Sequence, residues 1–519
     1  MKLLSGMPSR FCFWTVVVLL KPRASADVLS ARDNWLMLLA RGSVPPNANW
    51  PALNASENTA FMAKSRNWLE HALQPGYAGH LQWGQAIPTI VYSDETRSMP
   101  AAYDDIGDTT AWTGQLLAAL VHKYAADVAA GDNVSAAALL PTVNSILSSV
   151  DFASGHCTPT VGYLPRAWAL PVSNTSSATA AAWQAWRRYF TPAPPLLNGS
   201  GLHGVYNCTE GSQSQTYAGS AKERWMWQGG SSRDTYIGAL FGLGSTLLAL
   251  AHQPAPAAIQ ARQTAQRVFE RIFDKLASDD FFIVPPRNCV SGNAKQCLPV
   301  NPTPTFIAAW QRIALSMNPS KYDAKVRIKY NIVLSLAMKT ESVTKIGASA
   351  YYGNNLLSML WYLIGRCERI GSGARDSINT DHWPKVQATV LRLLADYRTH
   401  LQANLPAYWV ALANDTALDA GPWHTMTRAL LWDFHGAPDV AHAVDQHNNS
   451  KYGPAVKCSE SCGCSTYAML VRDRPPNEFV WQITPTKLAA GGSDMGHPKT
   501  QFGGAFLAPY WVWRTAGLF

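Results

Sequence analysis

Residues 229–251 read GGSSRDTYIGALFGLGSTLLALA, and they carry the strongest fold signal in the chain. Arg233 and Asp234 stand at the head of a helical pattern that is otherwise apolar on every side. A helix that is apolar all round is buried in the protein interior. The stretch therefore predicts an inner helix whose charged head can face a cavity while its body stays dry.

Three glycines in this helix would let a neighbouring helix approach closely: Gly238, Gly242 and Gly244. A membrane-spanning helix with a small-residue packing face is the alternative. The apolar part, 236–251, is shorter than the about 20 residues that a bilayer requires. The pattern therefore favours a helix in the core of a folded domain.

Helical periodicity recurs along the chain in pairs of segments separated by glycine, proline and asparagine. The predicted pairs are 30–40 with 57–72, 109–129 with 135–152, 233–252 with 257–276, 305–317 with 322–339, 351–370 with 383–402, and 406–414 with 422–434. The first segment of a pair tends to be apolar all round, whereas the second has a charged face, as in 260–277. Six buried helices surrounded by six amphipathic ones predict an all-α protein, an (α/α)6 toroid of about six helical hairpins.

The first 26 residues have the form of a signal peptide. Lys2 gives a positive start, 11–20 is a short apolar run, and Ala24-Ser25-Ala26 is a small-residue cleavage site. We expect residues 1–26 to be removed and the protein to be secreted or luminal, with no membrane span after cleavage.

Sequons and cysteines agree with export. Seven N-x-[ST] sequons occur, at Asn54, Asn133, Asn174, Asn198, Asn207, Asn414 and Asn448. Without Cys12 the chain has eight cysteines, an even number that favours disulfides. We expect Cys157 to pair with Cys208 and Cys289 with Cys297, and the run CSESCGC (458–464) to be oxidised rather than to bind a metal.

The mature chain, 27–519, is predicted to be one domain. A long loop insertion is expected at 155–230, which is rich in Gly, Ser, Pro and Trp, and a disulfide-rich segment at 451–519. Tyr467–Arg472 and Glu478–Ile483 alternate like strands and predict a small β-hairpin near the C-terminus.

Composition excludes several functions. The formal charge of +9 falls to +5 without Lys2, Arg10, Lys21 and Arg23, and no Lys/Arg run occurs, so we expect no nucleic-acid partner. The sequence has no GxSxG, HExxH or P-loop motif and no GxGxxG dinucleotide-binding fingerprint, since its one GxGxxG match, at 199–204, opens no predicted helix, and we expect no cofactor and no metal.

Four polar motifs stand at helix starts and are expected to surround one funnel mouth. They are YDDIGDTTAWTG at 103–114, SSRDTYIG at 231–238, YYGNN at 351–355 and GPWHTMTR at 421–428. With these motifs and its helical hairpins, the chain resembles the six-hairpin glycosidase superfamily. The resemblance implies a glycoside hydrolase, a polysaccharide lyase or a sugar epimerase, because all three share this fold.

Asp105 and Asp108 in the first motif, with Asp234 opposite, are the predicted catalytic carboxylates. Close carboxylates raise one another's pKa, so one can act as general acid while Asp234, beside Arg233, stays ionised as the base. Two alternatives remain for the Asp-rich motif, namely helix capping by Asp108 and calcium binding.

The remaining candidates suit a hydroxylated or acidic ligand. Tryptophan faces pack against sugar rings, and Asn, Arg and His reach hydroxyl or carboxylate groups. The predicted substrate-binding residues are Arg233, Tyr236, Trp112, Trp227, Asn354, Asn355, His424, Arg428, Asp494 and His497. Core packing is the alternative for the tryptophans, and backbone-bonded structural roles for the others.

The sequence thus predicts a carbohydrate-active enzyme, foremost a glycoside hydrolase. A lyase or epimerase would move a proton with His424, Tyr103 or Tyr236. A terpenoid-type α/α-barrel enzyme would have an apolar funnel with few carboxylates, and a non-catalytic glycan-binding toroid would have no two carboxylates in catalytic range.

Overall fold

The structure is a computed structural model. It describes residues 31–43, 55–74, 79–92, 96, 100–104, 106–170, 205–208, 216–217, 220–221, 225–286, 298–343, 351–370, 382–397, 401, 403–413, 421–435, 450–457, 464–474, 485–488, 499–501 and 503–515. Several predicted features lie outside these ranges: residues 1–26, the sequons at Asn54, Asn174, Asn198, Asn414 and Asn448, the cysteines Cys289 and Cys297, and the segment Glu478–Ile483.

The fold is mostly helical, as predicted. The helices are α1 (Ala31–Ala40), α2 (Ala55–Leu73), α3 (Thr109–Ala129), α4 (Asn133–Phe152), α5 (Arg233–Ala249), α6 (Pro256–Ser278), α7 (Pro304–Met317), α8 (Pro319–Val343), α9 (Tyr351–Ile370), α10 (Trp383–Tyr397), α11 (Asn404–Ala413), α12 (Gly421–His435) and α13 (Gly504–Arg514). The strands are short: β1 (Leu81–Gln82), β2 (Gln85–Ala86), β3 (Thr89–Tyr92), β4 (Pro100–Asp104), β5 (Ala167–Ala169), β6 (Val205–Asn207), β7 (Thr216–Tyr217), β8 (Ser220–Ala221), β9 (Met226–Gln228) and β10 (Lys499–Gln501).

Helices α3 and α5 pack backbone to backbone, and glycine makes this possible. A Cβ on Gly114 would overlap the carbonyl oxygen of Gly238, and one on Gly238 would overlap the backbone of Ala111. A Cβ on Gly242 would lie 2.7 Å from the carbonyl oxygen of Gly114. The prediction of close helix approach at Gly238 and Gly242 is therefore confirmed.

The apolar helices contact one another in chain order. Helix α3 contacts α5, α5 contacts α7 and α9, α9 contacts α7 and α11, and α11 contacts α13, which also contacts α3. The intervening helices pack against these, as α4 does on α3 and α8 on α7. Helix α6 illustrates their character, because its apolar face is buried and its charged face is outside.

The two ends of the chain differ from the prediction. Helix α1 was expected to be an inner helix, but it packs against α12, and the sequence did not predict α13. Helix α13 contains Pro509, a residue that normally interrupts a helix, so the pattern there predicted no helix. The predicted strand Tyr467–Arg472 is wrong, because 471–473 forms a 3-10 turn and 467–470 has no strand structure.

Two three-stranded antiparallel sheets flank the start of α3. One has the order β10-β3-β4, and its β4 ends four residues before Asp108. The other has the order β5-β9-β6, so the predicted loop insertion at 155–230 contains a sheet. Both sheets bring distant segments to the N-terminal end of α3.

Cysteine pairing follows the prediction in part. Cys157 and Cys208 form a disulfide, as expected, and Cys464 is also disulfide-bonded, which agrees with an oxidised CSESCGC run. Cys367, for which no partner was predicted, is free and buried. It lies in α9 beside a buried ion pair.

That ion pair joins α7 to α9 in the core. Arg312 donates from Nε to Glu368 Oε1 at 2.8 Å, and both side chains are 1% exposed. The Tyr330 hydroxyl donates to the same oxygen at 2.5 Å, and Arg312 also donates to the Cys367 carbonyl at 2.6 Å and to Ser316 Oγ at 2.8 Å. Each partner is thus satisfied within one network.

Asn133–Cys157 is the one described segment long and apolar enough to cross a bilayer. It comprises α4 and the π-helical turn that follows, and 56% of its apolar window is buried. Because α4 packs against α3 and α6, this segment behaves as a core helix.

Candidate functional site

The helix starts that carry Asp108 and Asp234 do not use these carboxylates as caps. Ser232 caps α5, since its Oγ accepts a bond from the Thr235 N–H at 3.5 Å. Asp108 occupies the N-cap position of α3 but accepts no capping bond there. The capping interpretation of Asp108 is therefore wrong, and both carboxylates are available for other contacts.

Asp108 and Asp234 lie near each other and near Tyr352. Tyr352 lowers the pKa of both carboxyl groups, and Asp234 raises that of Asp108. Asp108 stands just before α3, Asp234 in the first turn of α5 and Tyr352 in the first turn of α9. The starts of these three helices therefore converge, and both carboxylates are only partly buried.

Arg166 fixes the position of Asp108. Its Nη1 donates to Asp108 Oδ1 at 2.9 Å and to the Gly107 carbonyl at 2.7 Å, while its Nε donates to the Gly230 carbonyl at 2.6 Å. Its backbone is held too, because the Arg166 N–H donates to the Gln228 carbonyl at 2.9 Å. One side chain thus bridges the loops before α3 and α5.

Burial raises the pKa of both carboxyl groups. The pKa of Asp108 rises to about 6, because desolvation and the nearby Asp234 outweigh Arg166 and Tyr352, which act in the opposite direction. Desolvation also raises the pKa of Asp234, against Tyr352, Arg166 and Arg233. The pair therefore retains a proton at higher pH than free aspartates would. A pair with one protonated and one ionised carboxyl group suits general acid–base chemistry.

The variant Asp108→Asn tests whether the pKa of Asp108 is raised in the folded protein. Because folding raises the pKa of Asp108 from 3.8 to about 6, the folded state binds the proton more tightly than the unfolded state. Ionisation then costs folded wild-type protein about 2–3 kcal/mol as the pH rises from about 4 to above 6, whereas Asn does not ionise.

Urea denaturation at pH 4 and pH 8 measures the effect. The stability of Asp108→Asn relative to wild type should increase by that amount at pH 8. A difference between the two proteins that is the same at both pH values would contradict a raised pKa.

The predicted ligand-binding residues at the starts of α5 and α9 have different surroundings. Arg233 is exposed beside Asp234 and lowers its pKa. Asn355, in the first turn of α9, accepts a bond at 2.8 Å from Nδ2 of Asn404, the first residue of α11. Asn354 is 1% exposed and lies on the α9 face of Gly365, which abuts α11 and α10, rather than on the face of Tyr352.

Three predicted residues lie in the core. Trp112 is 0% exposed, Trp227 is 2% exposed and packs edge-on against Tyr163, and Tyr236 is 2% exposed. The Tyr236 hydroxyl accepts a bond from the Leu164 N–H at 3.1 Å. The structure thus favours core packing for these tryptophans, and no Trp-lined pocket forms from them.

His424 and Arg428 are separate from the carboxylates. His424 Nδ1 accepts a bond from Trp513 Nε1 at 3.3 Å, at the end of α13. Trp513 is roughly 14 Å along the helix axis from the first residue of α13. The start of α12 therefore does not join the starts of α3, α5 and α9.

Asp105, Asp494 and His497 lie outside the described residues, as does the side chain of Asp104. Within the described ranges, no group of three or more His, Cys, Asp or Glu side chains could hold a metal ion.

Arg166 and Tyr352 are the functional candidates that the sequence did not single out. Arg166 is an isolated charge in the apolar run Leu164–Trp168, and such a charge usually has a buried partner. Tyr352 lies within the YYGNN motif, but nothing in the motif distinguishes it from Tyr351.

No protein-family model matches this chain, and no curated protein or solved structure matches it significantly. The neighbouring side chains of Asp108, Asp234, Tyr352 and Arg166 are therefore the strongest indication of a function.

Proposed function

We propose that this protein is a secreted carbohydrate-active enzyme, a glycoside hydrolase that uses Asp108 and Asp234 as its two carboxylates. The observation that carries the proposal is that two partly buried carboxyl groups with raised pKa, Asp108 and Asp234, lie near each other, with Arg166 paired to Asp108. Glycosidases operate with a neighbouring pair of carboxyl groups roughly 5–9.5 Å apart.

In the proposed mechanism, Asp108 is the general acid. With a pKa of about 6, it holds a proton in mildly acidic solution and can deliver it to the glycosidic oxygen. Asp234, beside the Arg233 guanidinium, is the ionised partner that activates water or attacks the anomeric carbon. Tyr352 lies near both carboxyl groups, and both are partly exposed to solvent.

We further propose that the inner helices form the ring of an (α/α)6 toroid. The support is the sequence of contacts, in which α3, α5, α7, α9, α11 and α13 each touch the next and α13 touches α3. Side-chain contacts agree, because His122 of α3 lies 3.3 Å from the Tyr362 hydroxyl of α9, across the proposed ring, and 3.3 Å from Thr515 at the end of the neighbouring α13. This arrangement makes the Asp108–Asp234 pair part of the funnel mouth.

The alternatives find less support. The proton-moving residues required for a lyase or epimerase are Tyr103, Tyr236 and His424, but the Tyr236 hydroxyl is occupied by the Leu164 N–H and His424 by Trp513. A non-catalytic toroid would have no two carboxylates in catalytic range.

Asp234→Asn tests the hydrolase proposal. Release of reducing sugar is measured from a panel of polysaccharides and aryl glycosides. We expect wild-type protein to hydrolyse at least one of them and Asp234→Asn to reduce that rate by about 10²–10⁴-fold, because Asn cannot act as a base.

Asp274→Asn is the control, since Asp274 lies 52% exposed on α6, and its rate should equal that of wild type. A wild-type rate in folded Asp234→Asn would refute the two-carboxylate mechanism.

Export with N-glycosylation is the proposed context of this activity. The Cys157–Cys208 disulfide is typical of oxidising compartments, and Asn133 is exposed at the first residue of α4. Protein made through a eukaryotic secretory pathway should fall in mass after enzymatic removal of N-glycans. Asn133→Gln should show one glycan fewer, and an unchanged mass in the wild type would argue against export.

A further inference from the structure

The two carboxylates of the pair belong to loops that are far apart in the chain. Arg166 follows Asp108 by 58 residues and precedes Gly230 by 64 residues. Gly230 lies four residues before Asp234. When both carboxyl groups are ionised they repel each other, so a stable separation requires a restraint between the two loops.

We propose that Arg166 is a positioning residue whose guanidinium fork ties the loop before α3 to the loop before α5 and so sets the distance between Asp108 and Asp234. The inference deepens the proposed function, because it concerns the same carboxylate pair. Arg166 touches no reacting atom in this role and acts through Asp108.

The geometry of the fork is what the role requires. Nη1 contacts Asp108 Oδ1 and the Gly107 carbonyl on one loop, and Nε contacts the Gly230 carbonyl on the other. These donors lie in one rigid plane, so movement of either loop breaks a bond. A lysine ammonium carries the same charge but has no planar fork, and it cannot span the two loops in the same way.

The backbone at Arg166 is also held in place by hydrogen bonds. The Arg166 carbonyl accepts the Thr110 N–H at 3.0 Å in the first turn of α3, and the Thr110 hydroxyl donates to the Pro165 carbonyl at 2.8 Å. The backbone before Arg166 is thus fixed to α3, while the Arg166 N–H is fixed to β9 through Gln228. The backbone of Arg166 therefore links the start of α3 to β9, and its side chain links the loop before α3 to the loop before α5.

Arg166→Lys and Arg166→Gln separate the fork from the charge. The readout is the infrared carbonyl band of protonated carboxyl groups, titrated from pH 4 to pH 9 on the full chain, with Asp108→Asn used to assign the band to the pair. No substrate is required, so the result is independent of whether the protein hydrolyses glycans.

In wild type we expect a titration midpoint near 6. Arg166→Gln removes an opposite charge and should move the midpoint upward by about one unit or more. Arg166→Lys keeps the charge but loses the tie, so the carboxylates should separate and the band should titrate at lower pH than in wild type. Arg267→Gln is the matched control, because Arg267 pairs with Asp151 at the surface, and its titration should equal that of wild type.

If the midpoint in Arg166→Lys equals that of wild type while the midpoint in Arg166→Gln shifts, only the charge of Arg166 matters. That result would overturn the positioning role. Unchanged titration in both variants would overturn it as well. Loss of stability alone, with the band unmoved, would mean that Arg166 is merely structural. Should Arg166→Gln not fold, the titration of the conservative Arg166→Lys variant decides the question by itself.

Discussion

Arg312→Ala is expected to lower the free energy of unfolding by about 3–5 kcal/mol. The substitution leaves Glu368, which is 1% exposed, without the guanidinium that neutralises it, and among the described residues only the Tyr330 hydroxyl remains as a donor to its side chain. Desolvated charge without a partner is among the largest penalties that a single substitution can impose. Denaturant titration followed by circular dichroism measures the change.

A second arginine and a double variant serve as controls. Arg267→Ala breaks the ion pair with Asp151, but Arg267 is 54% exposed, so the cost should be about 0–1 kcal/mol. Replacing Arg312 and Glu368 together by methionine removes both charges and should recover much of the loss. An Arg312→Ala protein as stable as Arg267→Ala would show that the buried pair contributes little.

Gly114→Ala is expected to destabilise the protein by about 3 kcal/mol or more, at the upper end of overpacking effects. The added Cβ would overlap the carbonyl oxygen of Gly238, which is backbone and cannot rotate away. Helices α3 and α5 would have to separate, and both carry a carboxylate of the candidate site. The variant should therefore lose thermal stability, measured by calorimetry, and activity together.

Gly353→Ala is the matched control for this prediction. Gly353 is also helical, but it is exposed, and a Cβ there would meet nothing within 4 Å. Alanine at this position should be neutral or stabilising by up to about 1 kcal/mol, because it restricts the unfolded chain. Equal losses in Gly114→Ala and Gly353→Ala would refute the close-packing explanation.

The features predicted correctly from sequence are those that depend only on the residue pattern within a single helix. The all-round apolar pattern after Asp234 identified α5 as a buried helix, and Gly238 and Gly242 indicated a close neighbour. The charged head of α5 also singled out Asp234, which the structure places near Asp108. Each of these inferences required only local periodicity.

The features that were missed depend on contacts between distant segments. The tie from Arg166 to Gly107 and Gly230 spans 59 and 64 residues and has no local signature. The prediction placed His424 at the funnel mouth, which requires 422–434 to be an inner helix. In the predicted pair 406–414 with 422–434, however, the first segment is the more apolar one, so the second should be the outer helix. The structure agrees that the more apolar segment is the inner helix. The first residue of α11, Asn404, lies beside Asn355 in the first turn of the inner helix α9.

The position of α13 has a consequence for how the chain is made. This helix occupies the space between α3 and α11, and its contact with α3 joins His122 to Thr515 across 393 residues. During synthesis, α3 leaves the ribosome long before its final neighbour exists, so its apolar face must stay uncovered until translation is nearly complete. Contacts of such long range close slowly, and premature termination before residue 504 would leave a nascent chain that cannot bury this surface and is prone to aggregate.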